Sequence, residues 1–297
     1  MRRRTSPSRA GLAGCARMST SLDLARALAN ARLSPEMRAR LDRISFADAG
    51  HGYDAFGLHP DVVAMGEVIL APLYDRYFRV RSSGHEHIPT VGPGILACNH
   101  SGALPVDGAM LWLDVLRHTE PPRVARAVAD HFVPMLPVIG TLFARGGMVG
   151  GSRGNARTLL ESGELLMIFP EGVPGIAKHF RDRYKLQDWR VGHVELAIRH
   201  RAPVVPVGLV GAEEQMPQIG RIPIAMMGAP FIPITLTPLP LPVRYHLRYG
   251  PPIRTDIDYR PEHADDPGAV REASARVKAS VQALIDEGLR ERPGIFA

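Results

Sequence analysis

Short apolar runs alternate with amphipathic stretches along most of the chain. Residues 95–98, 124–129, 165–169 and 204–209 are runs of strand length with an apolar side chain at nearly every position. A strand that is apolar on both faces is one covered on both sides, as in a largely parallel sheet flanked by helices. Between these runs, residues 106–116, 155–161 and 191–199 carry apolar positions at helical spacing. Residues 142–144 with 147–149 are strand-like, residues 133–139 are apolar with two prolines, residues 245–249 give a later strand, and residues 268–290 form a closing amphipathic helix. The pattern predicts an α/β fold with a mostly parallel central sheet.

Ahead of this alternation, residues 21–45 have helical spacing, with Ser34-Pro35-Glu36 as a helix start. Residues 46–59 read as a loop, residues 61–78 as an amphipathic helix and residues 77–81 as a strand. The expected organisation is a disordered basic N-terminal extension over 1–20, a helical lead-in over 21–80, and the α/β domain over 81–297. The first residues are Arg-rich but lack the roughly 7–15-residue apolar stretch of a secretory signal; translation from Met18 is the alternative to a disordered tail. Residues 222–243 carry no charge and are long enough to span a bilayer, but Pro223, Pro230, Pro233, Pro238, Pro240 and Pro242 forbid a spanning helix. An extended apolar loop with short strands, packed into the core, is expected there.

Composition narrows the function. The 297 residues suffice for a sizeable core, and 36 Lys plus Arg against 30 Asp plus Glu leave a modest positive charge. That charge suits phospholipid head groups or phosphorylated substrates. Neither a dense basic stripe nor a nucleic-acid-binding module is present, so no nucleic-acid partner is expected. Cys15 and Cys98 can form neither a disulfide framework nor a four-ligand zinc site, and a reducing compartment is the default.

Three segments carry polar residues where ligands gather in open α/β sheets, outside the carboxyl ends of the strands. In ACNHSGALPVDGAM, an apolar run stops at Asn99-His100, and Asp107 falls in the first turn of the next helix. This is either a general base with the carboxylate that orients it, or a loop histidine near a helix-capping aspartate. In LLMIFPEGVPG, a buried run ends at Pro170-Glu171-Gly172, with Lys178, Arg181 and Arg183 following. Glu171 is placed to meet an acceptor hydroxyl, and the cations to meet a phosphate; an ordinary strand–turn with a solvated basic segment fits as well. The third segment, Gly150-Gly151-Ser152-Arg153-Gly154, fits the G-x-S-x-G nucleophile elbow, with His179, His193 and His200 downstream. It offers a serine esterase or lipase using Ser152 as the rival chemistry.

Taken together, residues 50–290 resemble the glycerolipid and lysophospholipid acyltransferase superfamily. Asn99-His100 followed by Asp107 resembles its N-H-x4-D block, Phe169-Pro170-Glu171-Gly172 its F-P-E-G-T-R block, and residues 202–214 its apolar-Pro-apolar block. NHSG followed by Pro105 and Asp107, with EGVPGIAKHFRDRY, looks most like the bacterial branch grouped with monoacylglycerol-acyltransferase-like proteins. The resemblance implies transfer of a fatty acyl group from acyl-CoA or acyl carrier protein to a lipid hydroxyl, with no cofactor beyond the thioester co-substrate and no metal. It makes His100 the base and Asp107 its orienting partner, with backbone N–H groups stabilising the oxyanion. Asn99, Ser101, Arg153, Phe169, Pro170, Glu171, Gly172 and Lys178 become the substrate-binding set. It implies a peripheral protein on the cytoplasmic face of a membrane, with the lead-in helices and the proline-rich loop as candidates for an acyl tunnel or bilayer contact. The sequence departs from the family pattern twice. Two extra residues separate His100 from Asp107, and Val173-Pro174 stand where the family's Arg binds glycerol phosphate. A third reading is a non-catalytic lipid-binding protein on the same fold.

Overall fold

In the computed structural model, residues 19–101, 104–130, 133, 138–224 and 231–297 are described. Residues 1–18 of the expected extension, Gly102 of the His100 loop, and parts of the 133–139 and 222–243 stretches lie outside the described residues. The strands are β1 (Arg81–Ser83), β2 (Gly94–Cys98), β3 (Arg126–Ala129), β4 (Val149–Gly150), β5 (Leu165–Ile168), β6 (Val204–Val210), β7 (Gln218–Ile222), β8 (Ile232–Thr235) and β9 (His246–Tyr249). The helices are α1 (Ser19–Arg32), α2 (Pro35–Leu41), α3 (Pro60–Pro72), α4 (Val106–His118), α5 (Ile139–Arg145), α6 (Arg153–Glu161), α7 (Val173–Ile176), α8 (Gly192–Arg199), α9 (Ala212–Gln215), α10 (Thr255–Asp258) and α11 (Pro267–Glu291).

Seven strands form one sheet in the order β1-β9-β6-β2-β5-β3-β4. From β6 to β4 all neighbours are parallel, while β9 runs antiparallel to β6 and parallel to β1. Successive side chains of the inner strands feed opposite layers. Leu96 and Cys98 of β2, Leu165 and Met167 of β5, and Val205, Val207 and Leu209 of β6 join the layer built with α4 and the lead-in. Ile95 and Ala97, Leu166, and Val204 join the layer built with α6, α8 and α11. This explains why the strands read as unbroken apolar runs rather than alternating ones.

Three expectations change. Residues 77–81 are not a strand: α3 passes through Pro72 into a π-helical turn, Leu73–Tyr77, and the edge strand starts at Arg81. Pro72 has no N–H to continue the ladder, and the turn closes with Phe78 N–H donating five residues back to Leu73 O, 2.8 Å. Residues 142–144 lie in α5, so the Gly147 region contributes only the two-residue β4. The described residues of the proline-rich stretch do not fold into the core as expected. β7 and β8 form a separate two-stranded antiparallel sheet, and of the described residues in the stretch only Leu241 and Val243 reach the main core. The inner strand β6 tolerates the single Pro206, but six prolines between residues 222 and 243 remove too many ladder donors for a long strand.

One buried carboxylate gathers groups from the lead-in, α4 and the sheet edge. Asp114 of α4 is fully buried and accepts hydrogen bonds from Tyr74 Oη, Ser82 Oγ (2.6 Å) and Tyr249 Oη (2.6 Å). His85 Nε2 and His118 Nδ1 lie 3.4 and 3.2 Å from its oxygens. Burial alone would raise its pKa, but the donors, His118 and His85 foremost, hold it well below the ordinary carboxylate range. The variant Asp114→Ala strands the buried hydroxyls of Tyr74 and Tyr249. It is expected to lower the unfolding free energy in urea by roughly 3–5 kcal/mol, the cost of breaking one partner of a buried charged network, whereas Tyr249→Phe should cost only about 1–2 kcal/mol.

Candidate active site

β2 ends at Cys98, and the chain leaves the sheet at Asn99-His100-Ser101. Asn99 is fully buried, and its amide is spent on one residue of β6: Nδ2 donates to Leu209 O (2.9 Å) and Oδ1 accepts from Leu209 N–H (2.8 Å). It extends the β2–β6 ladder with a side chain, so its expected substrate contact gives way to fixing where His100 leaves the sheet. His100 Nδ1 lies 2.6 Å from Asp107 Oδ2, so the longer loop still brings the two together. Asp107 is buried in the first turn of α4 and also accepts from Ser101 N–H (2.9 Å) and Gly108 N–H (2.7 Å). Free N–H groups and the dipole at a helix start favour a carboxylate there.

An acceptor on Nδ1 makes that nitrogen the donor and leaves the lone pair on Nε2. The ring stacks on Phe169 with centroids 4.3 Å apart and planes 28° apart, and the His100 side chain keeps 21% of its surface exposed. Burial acts against the imidazolium. The charge and hydrogen bond of Asp107 outweigh it, with smaller help from Glu171 and Asp130, so the His100 pKa is raised from the ordinary 6.5.

Glu171 stands behind His100. Its Oε1 accepts from His100 N–H (3.1 Å) and its Oε2 from Gln187 N–H (2.8 Å), and it is buried. Lys178 Nζ lies 3.3 Å from Glu171 and 3.1 Å from Glu213 of α9, so its charge is shared between two buried carboxylates. Burial pushes the Glu213 carboxyl up to about 7 despite Lys178. Lys178 is therefore a buried tie between α7 and α9 rather than the free cation expected for a phosphate, and Glu171 spends both oxygens on holding two loops. Pro170 O accepts from Arg190 N–H (2.9 Å). Gly172 sits at φ 56°, ψ −141°, a combination open to glycine alone. Gly175 lies under the cluster: a Cβ there would come within 2.8 Å of Glu171 Cβ and 3.2 Å of His100 Cβ.

Arg153 begins α6 beyond the edge strand β4, three strands from β2, and pairs with Glu195 of α8 at 3.0 Å with 77% of its side chain exposed. It is not brought to His100, in contrast to the expectation. Ser152 is the N-cap of α6, its Oγ accepting from Asn155 N–H at 3.0 Å. Among the described residues no histidine hydrogen-bonds it, so the elbow motif lacks its base. Ser101 is buried, and its Oγ has no partner among the described residues.

Three participants escaped the sequence reading. Gln187 acts through its backbone N–H, which leaves no signature in residue type. Arg190 places its guanidinium over Gly172, where a Cβ would lie 3.3 Å from Cζ, and approaches Asp130 at 3.5 Å. Gly175 was quoted as part of a motif, but its tight contact depends on packing. Among the described residues, His85, Asp114 and His118 have metal-ligand spacing. Their imidazoles are stacked 4.0 Å apart at 11°, so the ring planes do not meet within ligand distance of both rings, and Asp114 is already held by hydroxyls. This group is a structural network.

The acyltransferase family profile matches residues 79–210, the interval from just before β1 to the end of β6. An uncharacterized protein of Mycobacterium tuberculosis is 38% identical over 263 residues, covering 83% of this chain and 72% of that protein. The "DGAT1/2-independent enzyme synthesizing storage lipids" of Gallus gallus is 30% identical, covering 76% of this chain and 66% of its own; that of Bos taurus is 29% identical, covering 70% and 59%. The structure is similar to the 1-acyl-sn-glycerophosphate (LPA) acyltransferase, PlsC, from Thermotoga maritima, with a TM-score of 0.52 and 17% identity over 92% of this chain and 97% of that one. At that identity the likeness is one of fold. The family profile spans the segment that carries the His100 loop, and the chain belongs to the acyltransferase family.

Proposed function

We propose that the protein transfers a fatty acyl group from an acyl thioester, acyl-CoA or acyl carrier protein, to a hydroxyl of a neutral acylglycerol. The observation that carries this reading is the His100–Asp107 contact of 2.6 Å at the carboxyl end of β2, with no partner for Nε2 among the described residues. His100 Nε2 takes the proton of the acceptor hydroxyl as its oxygen attacks the thioester carbonyl. The Asp107 carboxylate stabilises the imidazolium so formed. The tetrahedral intermediate then collapses, the C–S bond breaks, and the leaving thiolate takes the proton from His100. Neither metal nor covalent enzyme intermediate is required to balance the reaction.

Two observations favour a neutral acceptor over glycerol phosphate. Val173-Pro174 replace the family's Arg, and Lys178, the nearest substitute, is committed to Glu171 and Glu213. The vertebrate relatives are named for synthesizing storage lipids. The proposed setting is a peripheral one on the cytoplasmic face of a membrane; no helix among the described residues is long and apolar enough to cross one. The serine esterase reading loses support because Ser152 is a helix cap. The non-catalytic lipid-binding reading would gain weight from His100 and Asp107 lying apart, and they are 2.6 Å apart.

Purified protein incubated with labelled acyl-CoA should form an ester with mono- or diacylglycerol, and little or none with glycerol 3-phosphate or lysophosphatidate. Ester formation on the phosphorylated acceptors alone would overturn the neutral-acceptor reading. His100→Ala should lose roughly 10²–10⁴-fold in rate, and Ser152→Ala should keep it. The base must be neutral, so kcat/KM should climb with pH through the raised His100 pKa, with its half-rise above 6.5. In Asp107→Asn the charge that raises this pKa is gone and burial remains, so the half-rise should move to lower pH while the plateau falls roughly 10³–10⁴-fold. An unmoved half-rise would remove His100 from the role of base. Gly175→Ala, whose methyl pushes on His100 and Glu171, should cut kcat with a smaller change in KM, measured at saturating donor.

A further inference from the structure

We propose that β7, β8 and the proline-rich segment after them form a docking face for an anionic lipid bilayer, opening beside His100. This deepens the functional reading above by assigning the membrane contact to a particular surface and head-group charge. The β7–β8 ribbon stands apart from the main sheet and exposes Ile222, Ile224 (57%), Ile234, Leu236 (62%) and Leu239 (73%). Side chains of this size in one segment form the kind of patch that soluble surfaces avoid. Leu73 and Tyr77 of the π-turn are also exposed, and Tyr77 Oη donates to Pro240 O, which joins them to the same surface.

Charge identifies the occupant. Between Glu214 and Asp256 there is no acidic residue. At the base of the segment lie Arg79, Arg81 and Arg244. Arg79 donates to the backbone carbonyls of Tyr77, Pro242 and Phe296. None of the three has a carboxylate partner among the described residues, and besides burial, the charges of Arg81 and Arg79 act on Arg244 to lower its pKa. An arginine cluster that tolerates its own repulsion beside an apolar patch is complementary to apolar chains under anionic head groups. A second copy of this chain would bring a like-charged cluster against it.

Topology sets the direction of the face. Cys98 pairs with Val207, and Asn99 bonds to Leu209, so His100 emerges near the end of β6. Val210 pairs with His246, and His246 with Arg81, so the arginine cluster lies at the same end of the sheet. The ribbon leaves β6 at this end through α9, and α9 is tied through Glu213, Lys178 and Glu171 to the His100 backbone. A bilayer on this face would present its lipid hydroxyls to the site.

The test is sedimentation of the full chain with vesicles of phosphatidylcholine alone and of phosphatidylcholine with phosphatidylglycerol. Binding should favour the anionic vesicles and weaken with salt. Leu236→Asn with Leu239→Asn should weaken binding to both by roughly tenfold or more. Arg81→Gln with Arg244→Gln should weaken binding to the anionic vesicles only, by roughly fivefold per arginine. Both double variants should keep the wild-type melting temperature and wild-type acyl transfer in detergent micelles. Wild-type vesicle binding by both variants overturns the proposal, as does a change of oligomeric state with vesicle binding intact, which would make the face an interface between copies. Absence of acyl transfer in micelles by the wild type would refute the catalytic reading while leaving the vesicle result to stand.

Discussion

The buried carboxylate of Asp107 governs the arrangement of the site. A carboxylate removed from water must find donors, and here they are the His100 ring, the Ser101 N–H and the Gly108 N–H. Satisfying it folds the loop after β2 back onto the start of α4. The same bonds fix the tautomer of His100 and raise its pKa. One electrostatic requirement thus sets both a local fold and the state of the imidazole.

Helix α4 carries that requirement to the rest of the molecule. Asp114 lies seven residues after Asp107, two turns along the helix and on the same side. It gathers Tyr74 from the lead-in, Ser82 from β1 and Tyr249 from β9. The helix holding Asp107 is therefore bolted to the lead-in and to the antiparallel edge of the sheet. On the other side, Glu171 binds the His100 backbone to the loop at Gln187. His100 is held from two directions by carboxylates that do not themselves need to touch substrate.

What could be read from the sequence followed from periodicity and strand ends. Unbroken apolar runs at residues 95–98, 165–169 and 204–209 announced strands covered on both faces, and these are β2, β5 and β6. The polar residues after them pointed to the carboxyl end of the sheet, where His100, Asp107 and Glu171 do meet. Partner choice was not legible. Lys178 looks like a free cation until Glu213, far along the chain, is folded against it. Asn99 looks like a ligand until Leu209 takes both ends of its amide. Arg153 reads as ligand-facing by position in a motif, but the narrow β4 edge turns it toward α8. The proline-rich segment shows where apolar content misleads: its composition suggested burial, while the missing backbone donors kept it out of the sheet.

Helix α11 has a consequence for how the chain is made. It packs along β6 so closely that a Cβ on Gly208 would sit 2.6 Å from Leu284 Cβ. Val270, Ala273 and Val277 complete the layer beneath Ile95, Ala97 and Val204. The part of this face that α6 and α8 leave open thus stays uncovered until residues 267–291 have left the ribosome. Until then the nascent chain exposes apolar sheet surface, a state in which such surfaces seek other partners. The last helix is the cover that ends this exposure.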